Sequence, residues 1–319
     1  LDDSGFIRVS IPAKFNWKPG QHCFLRFTSL GLRHSISSHP FTICSLPSVY
    51  PNQPNELVFY IRPHGGFTAK LYAFALDNPG SSISVLVDGP YGGINMQKYT
   101  DVDQILVVAG GSGAGWCLPF VEQFVRYGAR AHDALLDHKE DAHAEKALPA
   151  HRTTGPASLR LVLATRDTTS RTWFLSAVDD VLAKYRTTGS FSDVRIEVYL
   201  TGDAAKDAHL SQKISQDAPS PSGSSSPPDI EKIEVPMKHD HHRGSVPGRE
   251  FEGRPQLPTI VKEEAQAVRE GRQALSVFVC GPITMQNDVR NAVAAENLNI
   301  LRGDGGSGVY LHSEHFSWA

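Results

Sequence analysis

Ile105-Leu106-Val107-Val108-Ala109-Gly110-Gly111-Ser112-Gly113-Ala114-Gly115 joins an unbroken apolar run to a glycine-rich turn. Apolar residues without alternation mark a strand covered on both faces, as in a parallel sheet with helices above and below it. A helix-like segment from Leu118 to about Tyr127 follows. Strand, tight turn and helix in that order aim the free backbone N–H groups of a helix start at a phosphate, the arrangement that holds a dinucleotide. The match to G-x-G-x-x-G is incomplete: Gly111 and Gly113 supply the first two glycines, and Trp116 stands at the third.

The alternation continues downstream. Leu159–Ala164, Val194–Leu200 and Leu275–Cys280 are strand candidates; Trp173–Lys184, Ile260–Glu270 and Met285–Glu296 read as helices. This spacing predicts a parallel sheet with helical crossovers, whose ligands lie beyond the carboxyl ends of the strands. Thr165-Arg166-Asp167 and Cys280-Gly281-Pro282 occupy such ends. An arginine there suits the 2′-phosphate of NADPH and an acid suits the ribose hydroxyls of NADH, so adjacent Arg166 and Asp167 leave both open. Two polar segments interrupt the pattern. Residues 131–157 are expected as a solvated helix or a loop. In 204–250, the tract Pro219-Ser220-Pro221-Ser222-Gly223-Ser224-Ser225-Ser226-Pro227-Pro228 has too little apolar surface to offset ordering, so disorder is expected over most of 210–250. His239-Asp240-His241-His242 falls in that tract and reads as a solvated run.

Upstream the period is shorter. Strand candidates at 6–13, 21–27, 40–44, 57–63 and 82–87 are separated by turn residues, with one helix-like stretch, Thr68–Leu76, between Gly65-Gly66 and Asp77-Asn78-Pro79-Gly80. A small closed barrel with one helix fits this layout. The expected architecture is a β-barrel domain over 1–97 followed by an α/β parallel-sheet domain over 98–319.

The chain has 319 residues, 40% of them hydrophobic, enough for two cores of ordinary size. A net charge of -3 with no basic stripe argues against a nucleic-acid partner. Cys23, Cys44, Cys117 and Cys280 form no CxxC pair, so they read as reduced thiols, and no metal ligand set is assigned. No run reaches the roughly twenty apolar residues of a membrane span. No signal peptide opens the chain at Leu1, which therefore reads as excised from something longer.

On His39-Pro40-Phe41-Thr42, Gly65-Gly66-Phe67-Thr68, Asp88-Gly89-Pro90-Tyr91-Gly92, the 110–115 turn, Gly253-Arg254-Pro255, Cys280-Gly281-Pro282 and the closing Glu314-His315-Phe316-Ser317-Trp318, the chain resembles a known family. This is the cytosolic FAD- and NADPH-binding dehydrogenase region of fungal ferric/metalloreductases and NADPH oxidases, within the ferredoxin–NADP reductase superfamily. The resemblance implies an enzyme that carries electrons from NADPH through FAD to haem in a transmembrane domain. From the haem they pass to extracellular ferric or cupric ion or, in the oxidase branch, to dioxygen. It also implies a place on the cytoplasmic face of a membrane, the plasma membrane foremost. A non-catalytic nucleotide-binding scaffold is the alternative of another class, supported by the irregular glycine turn.

The resemblance further implies residue roles. Thr42 and the neighbouring backbone touch the isoalloxazine, and His39 lies near the ribityl phosphate. Pro40 holds this segment extended, and Phe41 belongs to the flavin-binding stretch, its ring free to fill the barrel core under this reading or under that of an ordinary barrel strand. Arg62, Gly65, Gly66, Phe67 and Thr68 cradle the FAD pyrophosphate, although a glycine turn with an ordinary helix cap accounts for the same residues. Gly110, Gly111, Ser112 and Gly113 hold the NADPH phosphates. Arg166 and Arg254 contact the nucleotide, with Arg171 a weaker candidate. Cys280, with Gly281 and Pro282, faces the nicotinamide, or is a buried structural cysteine. Phe316 or Trp318 covers the flavin, or packs against the sheet, with Glu314 near the flavin.

Overall fold

The computed structural model describes residues 5–31, 36–49, 52–140, 155–185, 193–202, 248–271 and 273–315. The Ser/Pro tract, His239–His242, Phe316 and Trp318 lie outside them.

In the N-terminal half, β1 (Ile7–Ala13) pairs antiparallel with β4 (Asn55–Ile61). β2 (Gln21–Phe27) lies between β3 (His39–Thr42) and β5 (Val85–Gly92), again antiparallel. Alternation in β2 sends Cys23, Leu25 and Phe27 inward, fully buried, and leaves His22, Phe24 and Arg26 on the other face. The two sheets share one core with Ile7, Phe59 and Ile61. The Cys44 amide joins them by donating to Val58 O at 2.8 Å. Helix α1 (Gly66–Asp77) adds Phe67 and Leu71 to that core.

The C-terminal half is a six-stranded parallel sheet in the order β11-β10-β6-β7-β8-β9. Its strands are β6 (Gln104–Gly110), β7 (Ser158–Thr165), β8 (Val194–Leu200), β9 (Gly248–Glu252), β10 (Leu275–Cys280) and β11 (Tyr310–Glu314). A short α2 (Gln97–Thr100) precedes it. Helices α3 (Ala114–Glu140) and α4 (Thr168–Ala183) cover one face, packing on Val107, Leu161 and Ile196. Helices α5 (Leu257–Glu270) and α6 (Ile283–Asn299) cover the other, on Leu106, Val162 and Val277. The polar region from 131 is helical as far as Glu140. At the other insertion, residues 248–250, inside the stretch expected to be disordered, belong to β9.

The core of the sheet half continues into the barrel half. Trp173 of α4, 2% exposed, stacks on Phe6 (centroids 4.5 Å, 18° between planes) and meets Tyr60 edge-on at 5.0 Å. A Cβ on Gly115 would fall 2.8 Å from the Cys44 sulfur, so α3 also abuts the barrel. All four cysteines are free and buried.

Candidate functional site

The crevice is assembled by glycines. The turn Gly111–Gly113 caps the carboxyl end of β6, and Pro282 begins α6 after β10. A Cβ on Gly113 would stand 2.7 Å from the Cys280 carbonyl oxygen, and one on Gly281 would stand 3.1 Å from the Gly110 nitrogen. The turns 110–113 and 280–282 are therefore pressed against each other, and Gly110, Gly113 and Gly281 serve this approach. Gly111, at φ +57°, is different: it is exposed, with open space where a side chain would be, as is Ser112 beside it. That opening at a helix start fits a phosphate. Gly113→Ala is expected to push the two strand ends apart and cut NADPH-driven flavin reduction at least tenfold, while flavin absorbance per protein stays unchanged. The size follows from a cost of about 1.4 kcal/mol or more, within the range for overpacking against backbone. Stopped-flow absorbance checks it.

Cys280 is wholly buried beneath the 111–113 turn. Burial, then the neighbouring Cys117 and Glu314, pushes its thiol far above the ordinary range. A thiol so placed stays protonated and packs rather than attacks. Buried Gln286 ties the crevice to the last strand: its Nε2 donates to Gly281 O (2.7 Å) and Glu314 O (3.1 Å), and its Oε1 accepts from Ser313 Oγ (2.8 Å). Glu314 pairs with His312 at 3.1 Å, and its carboxylate comes within 3.8 Å of a Cβ position on Gly92 in the barrel half. Sequence reasoning missed Gln286; a buried amide one turn into a helix leaves no trace in apolar periodicity.

In the barrel half, His39-Pro40-Phe41-Thr42 forms β3, facing Leu25, Phe24, Cys23 and His22 of β2 in turn. Phe41 packs into the barrel core. His39 stacks on Phe67 (centroids 4.1 Å, 8°), so two separate stretches of sequence meet as one wall. Thr68 Oγ1 accepts from the His64 and Gly65 amides (3.0 and 3.4 Å) and donates to Gly65 O (3.0 Å), an ordinary cap. Gly65 and Gly66 have nothing within 4 Å of a Cβ position, so the backbone there is open to a ligand. Across from Thr42 lies His22, in ring contact with Phe24 (5.6 Å) and Tyr91 (6.1 Å). Tyr91 is 45% exposed, its hydroxyl donating to Asp88 Oδ1 at 2.6 Å. An apolar and aromatic face of this kind suits a planar ring; sequence reasoning passed over His22 and Phe24, whose signal is their alternation with the buried positions of β2.

The arginines divide. Arg62 leaves the end of β4 and reaches the other half, with Nη1 at 3.1 Å from Asp167 Oδ2 and 3.2 Å from Ser170 Oγ. Asp167 also caps α4, its Oδ1 accepting from the Ser170 amide at 2.7 Å. Partial burial opposes ionisation of Asp167, but the Ser170 bonds and the Arg62 charge prevail and hold the carboxyl below its ordinary range. Arg171 pairs with Glu250 of β9 at 3.1 Å. Arg166 and Arg254 are both exposed. Each follows a strand at the carboxyl edge of the sheet, with the end of β8 between them: Thr201 N donates to Thr165 O (2.8 Å) and Gly253 N to Leu200 O (2.9 Å).

The geometry has counterparts among known proteins. A family model for an FAD-binding domain matches residues 3–95, and one for a ferric reductase NAD binding domain matches residues 102–294. A probable cell surface ferric reductase of Aspergillus oryzae is 24% identical over 98% of this chain and 49% of its own length. A ferric/cupric reductase transmembrane component of Saccharomyces cerevisiae is 34% identical over 39% of this chain and 19% of its own. The chain thus spans half or less of the length of these relatives. A ferredoxin NADP+ reductase from Neisseria gonorrhoeae, crystallised with FAD and NADP, shares the fold at a TM-score of 0.50 and 14% identity, over 97% of this chain and 93% of that one. With more than half its length matched by that one model, the chain belongs to the ferric reductase NAD binding domain family, and an FAD-binding domain precedes it.

Proposed function

We propose that this chain is the dehydrogenase region of a ferric/metalloreductase. It takes electrons from NADPH through FAD and hands them to haem in a transmembrane part of the parent protein, for delivery to ferric or cupric ion outside the cell. The supporting observation is the convergence of the 110–113 and 280–282 turns with Glu314 against the barrel edge at Gly92 and His22. The two fungal reductases, one named for the cell surface and one as a transmembrane component, support a membrane setting, with this region on the cytoplasmic face.

Bound FAD supplies hydride acceptance and the change from electron pairs to single electrons. The chain's own work is orientation. His39, Pro40, Thr42 and Phe67 wall the flavin, and the open backbone at Gly65 and Gly66 takes its pyrophosphate. Gly111 and Ser112 take the phosphates of NADPH at the start of α3, and Arg166 and Arg254 hold its adenosine end. The Trp173 contact fixes one half against the other, so that the distance between the two rings is set before either binds. The division between the two functional halves falls at residues 97/98.

The test is anaerobic. Protein loaded with FAD is expected to lose its flavin absorbance band on addition of NADPH; a stable protein that binds no flavin, or whose band persists, overturns the reading in favour of a scaffold. In the full-length parent, ferric-chelate reduction exceeding superoxide output is expected, and the reverse assigns it to the oxidase branch.

A further inference from the structure

We propose that Arg62, a residue of the flavin half, is a specificity-determining residue for the pyridine nucleotide bound by the other half, because it takes up the carboxylate of Asp167. The inference rests on the oxidoreductase reading above and extends it to the choice between NADPH and NADH.

Asp167 stands in the turn after β7, at the carboxyl edge of the sheet. A carboxylate at such an edge accepts from ribose hydroxyls and repels a 2′-phosphate. Here each oxygen already has a partner from the protein. Oδ1 accepts from the Ser170 amide at 2.7 Å, and Oδ2 faces Arg62 Nη1 at 3.1 Å. The same Nη1 bonds Ser170 Oγ at 3.2 Å, and Ser170 is 5% exposed. The acid is thus fixed as the N-cap of a sixteen-residue helix and neutralised from across the interface.

The guanidinium is delivered by a rigid base. Arg62 follows Ile61, which pairs with Ile7 in the β1–β4 ladder. Tyr60, two residues before Arg62, packs edge-on against Trp173 of the very helix that Asp167 caps. Next to Asp167, Arg166 is exposed and makes no ion pair among the described residues. With Arg62 in place the carboxylate of Asp167 is turned to the guanidinium and its charge is offset, which leaves Arg166 to a 2′-phosphate and favours the phosphorylated nucleotide. Without Arg62 the carboxylate is an unopposed acceptor at this turn, which favours the unphosphorylated one.

The experiment compares kcat/KM for NADPH and NADH at saturating FAD in the wild type, Arg62→Gln, Asp167→Asn and the double variant. Taking both nucleotides on one preparation cancels any change in flavin occupancy. The wild type is expected to prefer NADPH. Arg62→Gln is expected to lower the NADPH:NADH ratio about tenfold, the effect of one partly screened unit charge a few ångströms away. Asparagine keeps the cap without the charge, so in the Asp167→Asn background Arg62→Gln should leave the ratio within about twofold. Arg62→Lys should hold it near the wild-type value. A wild type that prefers NADH, an unmoved ratio in Arg62→Gln, or an equal fall in the Asp167→Asn background overturns the proposal.

Should Arg62→Gln bind FAD too poorly for turnover, calorimetric titration of the flavin-free protein with 2′-phospho-AMP and with AMP reads the same preference, and there too an unchanged ratio overturns it. Failure of both nucleotides to reduce FAD in the wild type would sink the oxidoreductase reading instead, with the titration still deciding this one.

Discussion

Trp173→Ala is expected to cost about 3–5 kcal/mol, the range for removing a fully buried large aromatic side chain. Trp173 is 2% exposed, and its partners Phe6 and Tyr60 come from the opposite half of the molecule. The cavity would open at the junction of the two halves. The loss should therefore show in urea as a change of mechanism as well as of midpoint: one cooperative transition separating into two, followed by tryptophan fluorescence and far-UV circular dichroism. Flavin reduction by NADPH should slow at least a hundredfold in the protein that remains folded, since a misplacement of about 1 Å between reacting groups costs that much. A single transition displaced by less than about 1 kcal/mol would show that Trp173 does not couple the halves.

Arg160→Met is expected to destabilise the sheet half by about 3–5 kcal/mol, because it strands a buried carboxylate. Arg160 donates through Nε and Nη2 to the two oxygens of Glu197 (3.0 and 3.1 Å), and through Nη1 to Glu264 and Glu263 of α5 (2.9 and 3.3 Å). Glu197 is 3% exposed. The hydroxyl of Tyr199 also donates to it at 3.3 Å, and burial followed by the Glu197 charge pushes the Tyr199 phenol up to about 12. The double variant Arg160→Met/Glu197→Leu should recover most of the loss, since a paired charge replaced by apolar groups of similar size is close to neutral. Urea denaturation of the three variants decides it; a single variant no less stable than the double would mean that Glu197 is relieved by water.

The contrast between central and edge strands explains what the sequence disclosed. β2, β8 and β10 match their sequence-derived limits, 21–27, 194–200 and 275–280, residue for residue. In β10 every residue is buried, so the apolar run is unmistakable. β9 and β11 are the two edges of the sheet, and neither was anticipated. Gly248-Arg249-Glu250-Phe251-Glu252 and Tyr310-Leu311-His312-Ser313-Glu314 carry charged and polar residues, as edge strands do, and none of these residues is fully buried.

The crevice divided along similar lines. The glycine turns were legible because backbone approach demands glycine and little else. The engagement of Arg62 with Asp167 was not, because the two residues lie on different halves, and periodicity carries no information about which side chains meet across an interface. Phe41 packs half-buried against the core, which both readings of its segment allow.

The parallel pairing of β8 with β9 has a consequence for how this molecule tolerates change. Parallel neighbours need a crossover of a dozen or more residues, and 47 separate Leu200 from Gly248. Both ends are pinned, at Leu200 by the β7 ladder and at Gly248 by β8. Because the cost of closing a connection grows only slowly with its length, residues can be added or lost between these ends at a small free-energy cost while the lattice of strands that orients the cofactors keeps its register.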